Sequence, residues 1–430
     1  MKIATVGLWH LGVVTAACLA SAGYTVIGVD ENAETIHNLQ NARLPVFEPG
    51  LEDLVRQGMA AGRLTFSSDP RQIADADIVW IAYDTPVDEN DRADSEYVIQ
   101  RVTALFPYLS RNALVLVSSQ LPVGSTRRLE ETCRRAGPEG SVAFACSPEN
   151  LRLGKAIEAF THPERIVVGA RTEQDRARIE QLLKPFTERI EWMSVESAEM
   201  TKHALNAFLA TSVVFINELS ALCERVGADA KEVERGLKSD IRIGPRAYLR
   251  PGSAFAGGTL ARDVSFLVEI GRSENLPTHL FSAVAFSNAA HRQWAHRRLI
   301  EVLGDLRGRS IAILGLTYKP GTDTLRRSIA VETCRWLHAQ GAHVAAYDPA
   351  VKTLPAELAE FIVLCPFAEM ALRGADAALI STEWTEFDSI QADDLVAWMA
   401  QPLVLDPGRV LENHLAADQR IRYLAVGRAA

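Results

Sequence analysis

Short runs rich in β-branched residues recur through the first two hundred residues, at 2–8, 25–30, 77–83, 113–119, 141–147 and 165–169, with amphipathic segments between them. Buried strands that alternate with helical stretches are joined by crossovers, and crossovers build a parallel sheet covered on both faces. The chain is therefore read as α/β, opening with a doubly wound domain. From 197 to 226 no Gly or Pro interrupts a run with apolar residues at 3.6-residue spacing, which predicts one helix of about thirty residues. Such a length exceeds the needs of one small domain, so the helix is expected to bridge two and to offer a face to a second subunit. A further helical stretch is expected at 263–303, after a Gly- and Pro-rich loop, and strand-like runs return at 310–316, 343–347, 377–381 and 403–406. The expected layout is two Rossmann-like doubly wound domains, 1–195 and 298–430, joined by a central helical domain, 196–297. Whether the two end domains share one fold stays open.

Composition narrows the function classes. A chain of 430 residues, 48% hydrophobic and 23% charged, is ordinary for a folded protein of two or three domains. A net charge of −9 with no basic tract argues against nucleic acid as a partner. The start, MKIATVGLWHLG, carries one Lys followed directly by a strand-like run and reads as a mature cytoplasmic N-terminus. No apolar stretch free of charge or glycine reaches the ~20 residues of a membrane helix, so no membrane partner is expected. Six cysteines lie far apart without a CxxC pair and read as free buried thiols in a reducing compartment. His291 and His296, and His338 and His343, are paired five residues apart without a third ligand, so no metal site is expected.

The segment Gly7-Leu8-Trp9-His10-Leu11-Gly12 follows the first strand and opens a helix, and Asp30 ends the second strand. That context suits a dinucleotide: a tight turn at Gly7, pyrophosphate on the helix N-terminus, close packing at Gly12 and a carboxylate for the ribose hydroxyls. The acidic residue disfavours a 2′-phosphate, so NAD is the expected cofactor. The middle glycine of this fingerprint, which lets backbone approach the pyrophosphate, is replaced by Trp9.

Seven further motifs follow in order: Glu48-Pro49-Gly50-Leu51, Asp84-Thr85-Pro86, Pro122-Val123-Gly124-Ser125-Thr126, Ser147-Pro148-Glu149-Asn150-Leu151-Arg152, Glu199-Met200-Thr201-Lys202 with Asn206, Gly257-Gly258 before Arg262-Asp263, and Tyr318-Lys319-Pro320-Gly321-Thr322-Asp323. With them the chain resembles the UDP-glucose/GDP-mannose dehydrogenase family over essentially its whole length. The resemblance implies oxidation of the C6 alcohol of a nucleotide-bound hexose by two NAD molecules, through an aldehyde and a cysteine-bound thioester. It also implies a homodimer paired through the long helix. It assigns oxyanion stabilisation to Lys202 and Asn206, one turn apart on one helix face, and proton handling to Asp263 and Glu149. It places Gly7, Trp9, His10, Leu11, Gly12, Asp30, Thr85, Pro86, Gln120 and Arg326 around the cofactor. It places Glu149, Leu151, Arg152, Lys202, Asn206, Arg242, Tyr248, Arg250, Phe255, Gly257, Lys319 and Arg409 around a nucleotide-diphosphate sugar, a UDP-hexose being favoured; Arg forks suit its phosphate oxygens.

The departures from the family pattern share a direction. Thr259 stands where the nucleophilic cysteine belongs, Gln120 replaces a water-positioning Thr, and Leu153 replaces a second Glu, while Glu149 is kept. Thr35 stands where the family often has a Lys near the adenosine. A threonine hydroxyl is far from ionised at neutral pH, so a covalent thioester step is not expected. The expected activity is a nucleotide-sugar dehydrogenase that transfers one hydride or oxidises an aldehyde hydrate without a covalent adduct. A nucleotide-sugar-binding protein without turnover and an epimerase that returns the hydride to the sugar are the alternatives.

Overall fold

The computed structural model describes residues 1–88, 93–136, 142–149, 151, 153–256 and 258–429. The chain divides into two units, Met1–Ala204 and Leu205–Ala430. In the first, the strands in chain order are β1 (Lys2–Val6), β2 (Thr25–Val29), β3 (Leu64–Ser67), β4 (Ile78–Ile81), β5 (Leu114–Val117), β6 (Ala143–Cys146), β7 (Ile166–Gly169) and β8 (Ile190–Met193). They form one sheet in the order β3-β2-β1-β4-β5-β6-β7-β8. Pairing is parallel from β3 across to β6, antiparallel where Cys146 of β6 meets Gly169 of β7, and parallel again between β7 and β8.

Successive residues of the central strands enter opposite apolar layers. Ile3, Ile78, Trp80, Leu114 and Leu116 pack into the layer that holds the helix His10–Ser21, and Ala4, Val79, Ile81, Val115 and Val117 into the layer that holds the helix Ser95–Leu105. A sheet covered on both faces needs an apolar residue at every position, which is why these strands read as unbroken runs.

The helix Val195–Val226 begins in the first unit and continues into the second. It starts two residues before the expected boundary. An 18-residue window of this helix has a mean hydropathy of 1.5, enough by length and composition alone to cross a bilayer. This corrects the expectation that no segment qualifies. The physical reason is the run 204–216, whose apolar residues serve packing: Ala207, Ala210 and Val214 bury against Val264, Leu267 and Val284. The expected helical stretch at 263–303 is instead three helices, Thr259–Ser273, His279–Arg292 and Trp294–Leu303. The first ends where Asn275 takes a left-handed φ of 55° and Leu276 N–H closes back on Gly271 O at 2.7 Å.

A second sheet follows, with β9 (Ser310–Leu314), β10 (His343–Tyr347), β11 (Ile362–Leu364), β12 (Ala377–Ile380), β13 (Leu403–Leu405) and β14 (Arg422–Leu424), all parallel, in the order β11-β10-β9-β12-β13-β14. This repeats the order that β1 to β6 show in the first sheet, so the two end domains share a doubly wound, Rossmann-like fold. The repetition extends to the first turn. Gly7 at φ +88° and Gly315 at φ +90° each leave their first strand, and a Cβ on either would lie 2.7 Å from a backbone nitrogen, that of Tyr83 or of Thr382. Only glycine fits there.

All six cysteines are buried and free. Among the buried polar side chains of the second unit, His296 stacks on Trp336 with ring centroids 3.9 Å apart and lies 3.3 Å from the Thr333 hydroxyl. Burial, with Arg297 nearby, lowers its pKa from 6.5 to about 4. The folded state therefore binds fewer protons than the unfolded state, and the stability tied to neutral His296 is complete above pH 6.5 and lost as pH falls toward 4. Urea denaturation between pH 7 and pH 4 is expected to show a loss of up to about 3 kcal/mol in the wild type that His296→Gln lacks. Equal losses in both proteins would refute this assignment.

Candidate active site

The carboxyl ends of β1 and β4 meet at the point where strand order reverses, and the Gly7–Gly12 turn lies there. Gly7 N–H donates to Val29 O at 3.0 Å, and a Cβ on Gly12 would lie 1.8 Å from Gly7 O. Both glycines are thus demanded by packing. Trp9 between them has φ −86°, which any residue adopts, and its side chain is 49% exposed. The Asp30 carboxylate accepts N–H bonds from Leu8 at 2.8 Å and Asn32 at 3.0 Å. Each of its oxygens keeps a further acceptor site for ribose hydroxyls. A helix N-terminus with no acidic residue in its first turn, an outward indole and a carboxylate at the end of β2 fit a dinucleotide.

His10, on the first turn of this helix, lies 2.9 Å from Glu48 Oε2. The buried Glu48 carboxylate also accepts N–H bonds from Gly154 at 2.7 Å and Ala156 at 2.8 Å. One carboxylate thus ties the Gly7–Gly12 turn to the segment after β6. Thr85 donates its hydroxyl to Gln120 O at 2.6 Å, Leu11 is half-buried and Pro86 is exposed.

Three side chains on the first turns of the long helix fasten the loops that follow β5 and β6. The buried Glu199 carboxylate accepts N–H bonds from Gly124 at 2.6 Å and Thr126 at 2.9 Å, capping the helix Ser125–Ala136. Lys202, 9% exposed, donates from Nζ to Glu149 O at 2.6 Å. His203 Nε2 donates to Leu121 O at 2.9 Å. Glu149 turns its carboxylate to Leu151 N–H at 2.5 Å. An apolar cavity of about 80 Å³ lies beside this segment, lined in part by Leu11, Thr15, Trp80, Ser147, Glu149 and Phe160.

In the second unit, the Asn206 amide donates to the Asp263 carboxylate, and both are buried. Thr259 is exposed at the first position of the helix Thr259–Ser273. A cavity of about 110 Å³ lies at the carboxyl ends of β9 and β12, lined among others by Ala254, Ala256, Arg292, Tyr318 and Ser381. Phe255 is half-buried and Tyr248 exposed. Arg250 reaches Gly408 O at 3.0 Å and Glu383 at 3.1 Å. Arg242 is paired with Asp240 at 2.7 Å, Arg326 is exposed, and Lys319 lies 5.6 Å from the Tyr318 ring. Arg409 has a fully buried side chain: Nη1 bonds Asp229 at 2.8 Å and Nε bonds Val426 O at 3.0 Å. Arg152 and Gly257 lie outside the described residues.

Sequence reasoning did not single out Glu199 and Glu48 for these roles. Their signal was a lone carboxylate beside a glycine-containing loop, legible only once the loop is known to present free N–H groups. Replacing Glu199 by Ala leaves the N–H groups of Gly124 and Thr126, at the start of the helix Ser125–Ala136, without this acceptor and should cost about 2 kcal/mol in urea denaturation. An unchanged midpoint and slope would show that the cap contributes nothing.

Residues 1–187 match the NAD binding domain of the UDP-glucose/GDP-mannose dehydrogenase family, residues 196–290 its central domain and residues 312–413 its UDP binding domain. UDP-glucose 6-dehydrogenase TuaD of Bacillus subtilis is 35% identical over 433 residues, covering 100% of this chain and 94% of that protein. UDP-glucose 6-dehydrogenase of Rhizobium meliloti is 35% identical over 436 residues, covering 100% of both. Among solved structures, a UDP-glucose dehydrogenase from the hyperthermophilic archaeon Pyrobaculum islandicum is similar with a TM-score of 0.88 and 29% identity, covering 100% of this chain and 98% of that one.

Proposed function

Because the chain belongs to the UDP-glucose/GDP-mannose dehydrogenase family, we propose that it is an NAD-dependent oxidoreductase acting on the C6 alcohol of a UDP-hexose in the cytoplasm. In this reading residues 1–195 hold NAD, 196–297 supply the long helix and catalytic groups, and 298–430 hold the nucleotide. NAD, when bound, supplies the hydride acceptor. Lys202 and Asn206 stabilise negative charge as it develops on the C6 oxygen, and Glu149 or Asp263 accepts the hydroxyl proton. Asp263 takes one of the two amide hydrogens of Asn206 and so fixes the direction of the other. The observation that carries the reading is the burial of Lys202 with its Nζ held by Glu149 O: an ammonium is costly to bury and is kept where its charge is used.

The oxidation stops short of a thioester in this proposal. Thr259 supplies a hydroxyl, and segment 252–263 contains no cysteine. Burial raises the pKa of all six thiols elsewhere, to about 12 for Cys18 and Cys334, so none stands ready as a thiolate. Incubation with UDP-glucose and NAD is expected to give one NADH per sugar, and Lys202→Ala to lower kcat about a hundredfold or more. Two NADH per sugar with a covalent adduct trapped on Thr259 would refute the two-electron reading.

Trp9 favours a second reading, a nucleotide-sugar-binding protein without turnover. Calorimetry separates the two, since UDP binding without NAD binding at millimolar concentration defeats the enzyme. An epimerase would change the sugar without net NADH.

The long helix also supports a homodimer. Phe208, Phe215 and Leu222 recur every seven residues and are 69%, 49% and 62% exposed, an apolar stripe suited to a second copy of the same helix. Sedimentation of the wild type is expected to report a dimer, and the double variant Phe208→Glu with Phe215→Glu a monomer. A wild-type monomer would overturn this proposal.

A further inference from the structure

Segment 252–256 is held by three buried side chains. Asn217 on the long helix accepts Gly252 N–H at 3.1 Å and donates to Ser253 O at 3.3 Å. Asn288 on the helix His279–Arg292 accepts Phe255 N–H at 3.0 Å and donates to Phe255 O at 2.9 Å. His291, one turn further on, lies with Nε2 2.8 Å from Gly252 O; a carbonyl only accepts, so Nε2 carries the proton. The three side chains are 2%, 6% and 9% exposed. Burying such groups is unfavourable unless they are satisfied, and each is satisfied by this one segment. The pinned groups are the N–H and O of Gly252, the O of Ser253, and the N–H and O of Phe255. Among the described residues, the N–H groups of Ser253, Ala254 and Ala256 have no partner within the chain, and these three residues line the cavity of about 110 Å³ together with Arg292.

We infer that Asn217, Asn288 and His291 are positioning residues that hold segment 252–256 so that the amides of Ser253, Ala254 and Ala256 are presented, already oriented, to the diphosphate of the substrate. Amides fixed in advance bind an anion without the cost of ordering the loop at the moment of binding. The ligand named here rests on the nucleotide-sugar reading above; the clamp itself does not.

The test uses the full chain with UDP as probe. Asn217→Ala and Asn288→Ala are each expected to weaken UDP binding about tenfold by calorimetry, to leave NAD affinity unchanged, and to raise KM for UDP-glucose more than they lower kcat. Hydrogen exchange over 252–256 should quicken in both variants. His291→Gln, which keeps a donor for Gly252 O, should retain affinity that His291→Ala loses. If an alanine variant does not fold, Asn288→Asp, which keeps the acceptor and removes the donor, is expected to weaken UDP binding and quicken exchange in the same way. Wild-type UDP affinity in the variants, or unchanged exchange over 252–256, overturns the inference. A wild-type chain that fails to bind UDP overturns the nucleotide-sugar reading and the ligand assigned here, while quickened exchange in the variants still upholds the clamp.

Discussion

A buried carboxylate and a buried ammonium, three residues apart on one helix, govern the first unit. Glu199 accepts N–H bonds from the loop after β5, and Lys202 donates to a main-chain oxygen of the loop after β6. Buried charge is tolerated only with such partners. The helix therefore cannot shift along its axis without stranding charge, and the loops after β5 and β6 cannot drift from the helix. Glu48 plays the same part beside the Gly7–Gly12 turn, through His10, Gly154 and Ala156. Helices thus reach the loops between strands through carboxylate and ammonium groups, and those loops inherit their geometry from the ties.

Much of the fold was legible because buried parallel strands cannot hide. The runs 2–8, 25–30, 77–83 and 113–119 became β1, β2, β4 and β5, and the runs after 310 became four strands of the second sheet. The strands that escaped notice are short or lie at sheet margins. β3, β8, β11 and β14 have three or four residues, and each includes positions that are not buried, so no unbroken apolar run marks them. The reversal at β6 and β7 rests on one residue pair and leaves no pattern to read. The site divides in the same way. Lys202, Asn206 and Asp263 were visible as side chains in motifs, but the acceptor for Lys202 is a main-chain oxygen, and every residue carries one. The Asn217 and Asn288 clamps were invisible for the same reason.

The two nucleotide folds use their second-strand carboxylates differently. Asp30 is partly exposed and accepts two N–H bonds. Asp348, its counterpart after β10, is buried, accepts from Leu316, Thr317, Ala350 and Val351 N–H groups, and is covered by the Trp384 indole at 3.2 Å. The first carboxylate keeps capacity for a ribose, and the second is committed to its own turn.

The packing of Gly7 and Gly12 separates what the fold requires from what a ligand requires. A methyl group at either position would collide with main chain, while Trp9 between them occupies ordinary backbone space and is half exposed. Natural selection acting on the folded state alone is therefore blind to that middle position. A lineage is free to exchange glycine for a large aromatic there without loss of architecture, and only the demands of the coenzyme decide whether the exchange survives.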